Sequence, residues 1–411
     1  MSVHVLYLSY DGMTDPLGQS QVIPYLDGLS RRGYKLTLVS FEKKERYALH
    51  RDKISGLLQQ ADIAWYPLSY TKSPPVLSTL YDLARLYAHA YRLHKQKKFS
   101  IVHCRSYICS LAGLMLKRRC GTAFLFDMRG FYADERVDGK IWNLRNPLYR
   151  LIYHFFKRAE KTFFQEADYI ISLTHAGKRV IETRYSLNGK LAPVQVIPCC
   201  SDLQHFSPAT VNKALAEKLR REVGNGFVLG YVGSMGTWYM PDEMMDFFKE
   251  LLTYRPDATF MILTPDAAAP IRSLAAGKGI DPGRLFIREV TRDEMPTYMS
   301  LFDLAVFFIK PVFSKTASSP TKHGELMSMS VPVVANEGVG DVADIIRKTQ
   351  SGVVISEFSA TAYRQAIEEA LNRTFAKNEI CRNAARVYGL EQGIDHYDLV
   401  YREILQKSPV P

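Results

Sequence analysis

Short apolar runs alternate along this chain with longer stretches whose apolar residues recur every three or four positions. The runs read as strands buried on both faces, and the periodic stretches as helices laid over them. Residues 3–9 form the first such strand, and a turn-rich loop over 11–20 follows it. Residues 19–32 then carry Val22, Ile23, Leu26 and Leu29 at helical spacing, Gly33 ends the helix, and 36–41 is the next strand. Beyond these the pattern predicts a helix over 83–98, a strand over 101–105, a helix over 111–119 and a strand over 123–128. Residues 146–166 form a long amphipathic helix opened by Asn146 and Pro147, with 169–173 and 175–184 as strand and helix.

The same alternation restarts in the second half. Residues 227–232 form a strand, 233–239 its glycine-bearing loop, and 242–255 a helix that turns Met244, Met245, Phe248, Leu251 and Leu252 inward. Strands over 260–263, 285–287, 304–308, 331–335 and 352–355 alternate with helices over 293–299, 341–348 and 360–370, and 379–388 and 393–406 close the chain. Strands alternating with helices predict doubly wound parallel sheets, which place their ligands at the carboxyl ends of the strands. A restart of the pattern at this length predicts two domains.

The densest chemistry lies in residues 314–343. Ser319 suits an N-cap and Pro320 the first helical position, so a helix is expected to begin there. Its open N–H groups and positive dipole end would receive an anion, most usefully a phosphate, and Lys322 adds a full charge in the first turn. Glu325, one turn further in, would repel a phosphate but accept hydrogen bonds from sugar hydroxyls. A short strand and the glycine turn 336–340 complete a pocket suited to a nucleotide-diphosphate sugar.

This stretch resembles the donor-binding region of retaining glycosyltransferases of family 4, which have the GT-B fold. The variant here, Ser-Pro-Thr-Lys-x-Gly-Glu, is similar to a divergent branch of that family. Glu325 falls on the family's second glutamate, which binds ribose hydroxyls; its first falls on Ala317 and is missing. The resemblance shifts phosphate binding toward Ser318, Ser319, Thr321 and Lys322. It implies that the 11–20 loop, with Gly18, faces the donor phosphates and the acceptor. It also implies that Gly233 and Ser234 approach the diphosphate, and that the loop at Val290 reads the base through backbone atoms. Where the family has His-Gly at the end of the 123–128 strand, this chain has Arg129-Gly130. The histidine role is therefore not carried over: Arg129 is expected to contact sugar or diphosphate. Asp127 is the acidic group beside it, with Asp134 and Glu135 as alternatives and His103 and Arg105 as further cleft residues. The family's arginine and lysine in the 233–239 loop are absent, which puts more load on Lys322 and Arg129. Lys315 is a third candidate for that load, and otherwise reads as a solvated loop residue. Residues 194–208, with Val196-Ile197-Pro198 and Phe206-Ser207-Pro208, resemble the interdomain crossing.

The implied architecture is two Rossmann-like domains facing a central cleft: 1–203 on the acceptor side, joined by the C-terminal helix 389–411, and 204–388 for the donor. Catalysis is assigned to Arg129, Lys322, Glu325 and Asp127, with no cofactor beyond the donor substrate and no metal. No Asp-x-Asp is placed for a metal ion.

Composition adds a partner class. The formal charge of +11 favours anionic partners. No aromatic-and-basic RNA signature or recognition helix is present, so nucleic acid is not one of them. Residues 140–165 hold six basic side chains against one acidic, a local charge of +5. That helix's apolar stripe, Leu148, Leu151, Ile152, Phe155, Phe156, Ala159 and Phe163, is expected to face the core. Its basic face would touch an anionic membrane surface. The six cysteines show no metal-ligand spacing, and reduced thiols in a cytoplasmic protein are expected. No run of apolar residues is long enough to span a bilayer.

The reading is a hexosyl transferase acting at the cytoplasmic face of a membrane. It would move a sugar, with retention, from a nucleotide-diphosphate sugar to a glycan or lipid-linked acceptor in cell-surface polysaccharide or glycolipid synthesis. A sugar-nucleotide 2-epimerase of the same fold, or a non-catalytic nucleotide- or membrane-binding scaffold, are the alternatives.

Overall fold

The computed structural model describes residues 3–186 and 191–407, so parts of the expected segments at 1–203 and 389–411 lie outside the described residues. The chain forms two compact units, Met1–Pro198 with Leu390–Pro411, and Cys199–Gly389. Each holds one sheet in which every pairing is parallel.

In the first unit the strands are β1 (His4–Ser9), β2 (Lys35–Glu42), β3 (Ala64–Ser69), β4 (Ile101–Arg105), β5 (Ala123–Asp127), β6 (Tyr169–Ser172) and β7 (Val194–Val196). Their spatial order is β3-β2-β1-β4-β5-β6-β7, so the winding reverses between β1 and β4. The central strands are buried along their whole length, which is why they read as unbroken apolar runs. The second unit holds β8 (Val228–Val232), β9 (Thr259–Leu263), β10 (Leu285–Arg288), β11 (Leu304–Phe307), β12 (Val333–Asn336) and β13 (Gly352–Ile355). Their order is β10-β9-β8-β11-β12-β13, with the reversal between β8 and β11. The last helix, Leu390–Lys407, belongs to the first unit. Ile394 fills the space left by Gly28, and Tyr397 and Tyr401 pack edge-on against Tyr25 and Tyr34.

Several element boundaries differ from the pattern. The single helix expected over 19–32 is two, Pro16–Gln21 and Ile23–Arg31, broken at Val22 because Pro24 cannot donate a helical hydrogen bond. The loop therefore ends at Asp15, and Gly18 sits inside a helix. The helices expected at 83 and 111 begin at Leu77 and Ser106. Helix Lys44–Gln60 and strand β3 left no usable signal. Only Ile54 and Leu58 of that helix are buried, and β3 is a half-exposed edge strand interrupted by Pro67.

The apolar stripe of helix Pro147–Glu166 divides. Phe156, Phe163 and Phe164 enter the core with Glu160, which accepts hydrogen bonds from Tyr107 and Tyr185 and pairs with Lys157. Leu148, Leu151 and Phe155 do not face the core; they are 50%, 68% and 51% exposed. At i, i+3 and i+7 they form their own line, rotated one position from the buried one.

Gly352 opens β13 beside Val333 of β12, and a Cβ there would lie 1.9 Å from the Val333 carbonyl oxygen. Backbone cannot yield as a side chain does. Gly352→Ala is expected to cost ~1–3 kcal/mol, read as a lowered denaturant midpoint; an unchanged midpoint would show that the β12–β13 contact is slack.

Candidate functional site

In the second unit the winding reversal puts the carboxyl end of β8 at the position where such sheets bind ligands. Tyr231 lies on that strand and Gly233 follows it with a φ of +106°, a backbone geometry glycine adopts without strain. Helix Thr321–Ser328 delivers Lys322 to the same place. The Lys322 ammonium nitrogen, Nζ, donates to the Tyr231 hydroxyl at 3.0 Å, and a Cβ on Gly233 would stand 3.3 Å from it. Lys322 and Glu325, three residues apart, share one face of this helix. His323 and Gly324 face the other way. His323 Nδ1 meets the Tyr388 hydroxyl at 2.9 Å, and a side chain on Gly324 would press on the Tyr388 ring.

Burial decides the charge states here. It pushes the Lys322 amine well below its ordinary value, with Glu325 opposing. It also raises the Glu325 carboxyl, with Arg292 and Lys322 opposing. Both shifts favour the neutral forms, and a phosphate beside Lys322 would favour its charged form instead.

The remaining candidates are placed less centrally. Helix Thr321–Ser328 is capped at Pro320, one residue later than expected, and Ser319 is not the N-cap: its Oγ accepts from the Cys199 N–H at 3.2 Å. Thr321 opens the helix, and Ser318 ends the 3-10 turn Phe313–Ala317. Ser234 donates to Asp266 at 3.1 Å. Val290 lies in the loop after β10. Lys315 is not a solvated loop residue. It is 6% exposed, with Nζ 3.6 Å from the centre of the Trp238 ring.

The first unit carries a second cluster at its own reversal, the carboxyl ends of β1 and β4 with the adjoining β5. Asp127 is buried and accepts from the Tyr397 hydroxyl at 3.2 Å. His103 Nε2 lies 3.5 Å away and Arg129 Nη1 3.7 Å away. Burial would raise the Asp127 carboxyl, but Arg129, His103 and Arg105 outweigh it and hold it at about 2. His103 is pushed down by burial and stays neutral, its Nδ1 meeting the Tyr401 hydroxyl at 2.8 Å. A carboxylate this acidic is not a proton carrier near neutrality; it orients its neighbours. Arg105 binds Asp11 at 3.1 Å. Arg129 takes a φ of +59°, a costly conformation for a residue with a side chain, which marks a position held for its direction. Asp134 instead serves helix Pro147–Glu166, accepting from Tyr153 and Lys157. Gly18 packs against the 12–13 backbone, where a Cβ would strike the Gly12 oxygen at 2.2 Å. Buried Glu42, which the sequence did not single out, ties that loop by accepting from the Met13 and Thr14 N–H groups. Tyr231, Tyr239 and Tyr397 were equally unmarked, because an aromatic in a strand, its loop or a packed helix reads as core.

Residues 21–205 match the family model Glycosyltransferase Family 4, and residues 226–373 match the model Glycosyl transferases group 1. No curated protein matches by sequence. Among solved structures, a glycosyltransferase from Rickettsia africae ESF-5 is 14% identical, covering 99% of this chain and 100% of its own, with a TM-score of 0.73. Sucrose-phosphate synthase from Thermosynechococcus elongatus is 13% identical with the same coverages and a TM-score of 0.76. Anabaena HepE, solved in complex with UDP and glucose, is 14% identical, covering 97% of this chain and 99% of its own, with a TM-score of 0.68. These likenesses establish the fold: two parallel-sheet α/β domains of the GT-B kind.

His323 gives a stability prediction. Burial lowers it from 6.5 to about 3, so the folded state resists a proton that the unfolded chain accepts. The stabilisation is complete above pH 6.5 and is lost as pH falls, reaching on the order of 2 kcal/mol by pH 5. His103 acts in the same direction. His323→Asn, which can still meet the Tyr388 hydroxyl, is expected to flatten the fall in melting temperature between pH 6.5 and 5; an unchanged slope would refute this assignment.

Proposed function

We propose that this chain, a family-4-like glycosyltransferase by the models that match its two halves, moves a hexosyl group from a nucleotide-diphosphate sugar to a glycan or lipid-linked acceptor, with retention of configuration. The observation that carries the donor assignment is Lys322, brought by a helix N-terminus against Gly233 at the β8 reversal. The helix N–H groups and Lys322 neutralise the leaving diphosphate, and no metal enters the scheme. Glu325 accepts from the ribose hydroxyls. Ser318, Ser319, Thr321, Gly233 and Ser234 line the phosphates, and Val290 lies by the base. Arg129, oriented by Asp127, acts from the first unit on the sugar or acceptor. HepE's complex with UDP and glucose supports a uridine diphosphate sugar as the first donor to try.

Helix Pro147–Glu166 supports the lipid-linked acceptor and a place at the cytoplasmic face of a membrane in polysaccharide or glycolipid synthesis. The same segment that carries the exposed Leu148, Leu151 and Phe155 also carries Lys140, Arg145, Arg150, Arg158 and Lys161, all exposed, while Glu160, the sole carboxylate in residues 140–165, is buried. Exposed apolar residues in a strongly basic segment suit an anionic bilayer surface. Among the described residues no helix is long and apolar enough to cross one.

Two measurements test this reading. A panel of UDP, GDP, ADP and their sugars is expected to give a melting-temperature rise with one base, reduced at least tenfold in affinity by Glu325→Ala. Sugar conversion without an acceptor would identify an epimerase, and no shift at millimolar ligand would sink the donor assignment. Separately, the protein is expected to co-sediment with phosphatidylglycerol vesicles. Binding should fall about tenfold or more in Leu151→Glu/Phe155→Glu and weaken with salt; equal binding by that variant would remove the membrane role.

A further inference from the structure

Lys322 is buried without the partner a buried ammonium normally has. Its Nζ lies 3.6 Å from the centre of the Tyr239 ring and 4.1 Å from that of Tyr231. The two rings stand 79° apart, forming two walls of a cage. The Tyr231 hydroxyl spends its own proton on the Ser234 carbonyl at 2.6 Å, which leaves a lone pair for the bond from Nζ. Among the described residues no carboxylate lies within ion-pair distance of the amine. The wall at Gly233 carries no side chain.

Two ring faces and one hydroxyl hold an amine in place, but they return less than full desolvation of an ammonium costs. The titratable groups nearby do not close the gap. Glu325, on the same helix, is itself raised by burial and faces Arg292. Asp266 is engaged by Ser234 and the Met235 N–H, and Cys199 lies toward Tyr239. Behind the helix, His323 is held neutral against Tyr388. A diphosphate entering beside Gly233 would bring the missing counter-charge.

We propose that Tyr231 and Tyr239 are positioning residues that hold Lys322 as an uncharged, proton-accepting amine in the empty pocket, so that the donor diphosphate and one proton bind together. This deepens the donor reading and rests on it. The proton comes from solvent to the Lys322 lone pair, giving an ammonium against the phosphate oxygens, and it leaves when the nucleoside diphosphate leaves. Between the amine's two pKa values, donor affinity therefore falls as pH rises, by up to about tenfold per unit.

The cage is tested first without ligand. In protein labelled at the lysine ε-carbon, the NMR signal assigned through Lys322→Met is expected to titrate well below the other lysines. Tyr239→Leu, which admits water, should move that titration back up, and Tyr231→Phe, which keeps the ring, should shift it less. An ordinary lysine titration overturns the proposal. The coupling is then tested by calorimetry with UDP, GDP and ADP at pH 8, in buffers of differing ionisation enthalpy. A nucleotide's phosphates, with a second pKa of about 6, are already ionised there. In Glu325→Gln, which removes the competing carboxyl, binding is expected to take up a substantial fraction of a proton, and in Lys322→Met none. Binding without uptake, or uptake that survives Lys322→Met, overturns the coupling. A depressed amine with no nucleotide binding overturns the coupling and the donor reading together, and leaves the cage as measured.

Discussion

Because every strand in both sheets runs parallel to its neighbours, each return of the chain must pass over a sheet face, and both faces are sealed by helices. Polar chemistry is thereby pushed to the carboxyl edge, and the reversal of winding opens that edge at one place in each sheet. In the first unit the place is the β1–β4 junction, with Asp11, His103 and Arg105; in the second it is the β8–β11 junction, with Tyr231 and Gly233. Both clusters bury titratable groups at that edge.

The two units compensate those groups differently. The first balances Arg105 and Arg129 against Asp11 and Asp127, and the last helix adds the hydroxyls of Tyr397 and Tyr401. Such a network is expensive to assemble and rigid once assembled. It explains why Arg129 keeps an unfavourable backbone geometry: the side chain is aimed by neighbours that leave it little choice. Among the described residues the second unit gives Lys322 and Glu325 no ion pair within contact distance, and burial pushes both toward neutrality. A site compensated internally orients a reaction; a site left incomplete is one that a ligand can finish.

The sequence showed most of this fold and a smaller part of its chemistry. Strands β4 and β8 announced themselves because burial on both faces demands unbroken apolar runs. β3 and helix Lys44–Gln60 did not, since a mostly exposed element leaves no period to read. Lys322 and Glu325 could be singled out because charge and carboxylate fall within one helical turn, although the cap beside them was placed one residue early. The line Leu148–Leu151–Phe155 was legible as apolar but not as exposed. Only tertiary contact shows that Phe156 and Phe163, one position round the helix, had already taken the core face. Tyr231 and Tyr239 were illegible for a related reason: a tyrosine's two uses, filling a core and facing a cation, share one sequence signature.

The cage also accounts for the departures from the resembling family's donor motif. That family supplies an arginine and a lysine from the loop after the first strand of the donor domain; here the same loop supplies Trp238 and Tyr239. Each ring covers a lysine delivered from the other side, Lys315 over Trp238 and Lys322 over Tyr239. A cation on the loop would further oppose protonation of Lys322 at the Gly233 wall, whereas an aromatic face returns part of the cost when the phosphate brings the proton. The same accounting covers Ala317, where the family's first glutamate would stand. Ala317 is fully buried in the turn that carries Lys315, and a carboxylate there would have to be stripped of water in full. Exchanging loop cations for rings and a glutamate for alanine is therefore one change made at two positions. On that reading it concentrates the site's positive charge on Lys322, where a bound phosphate would bring it out.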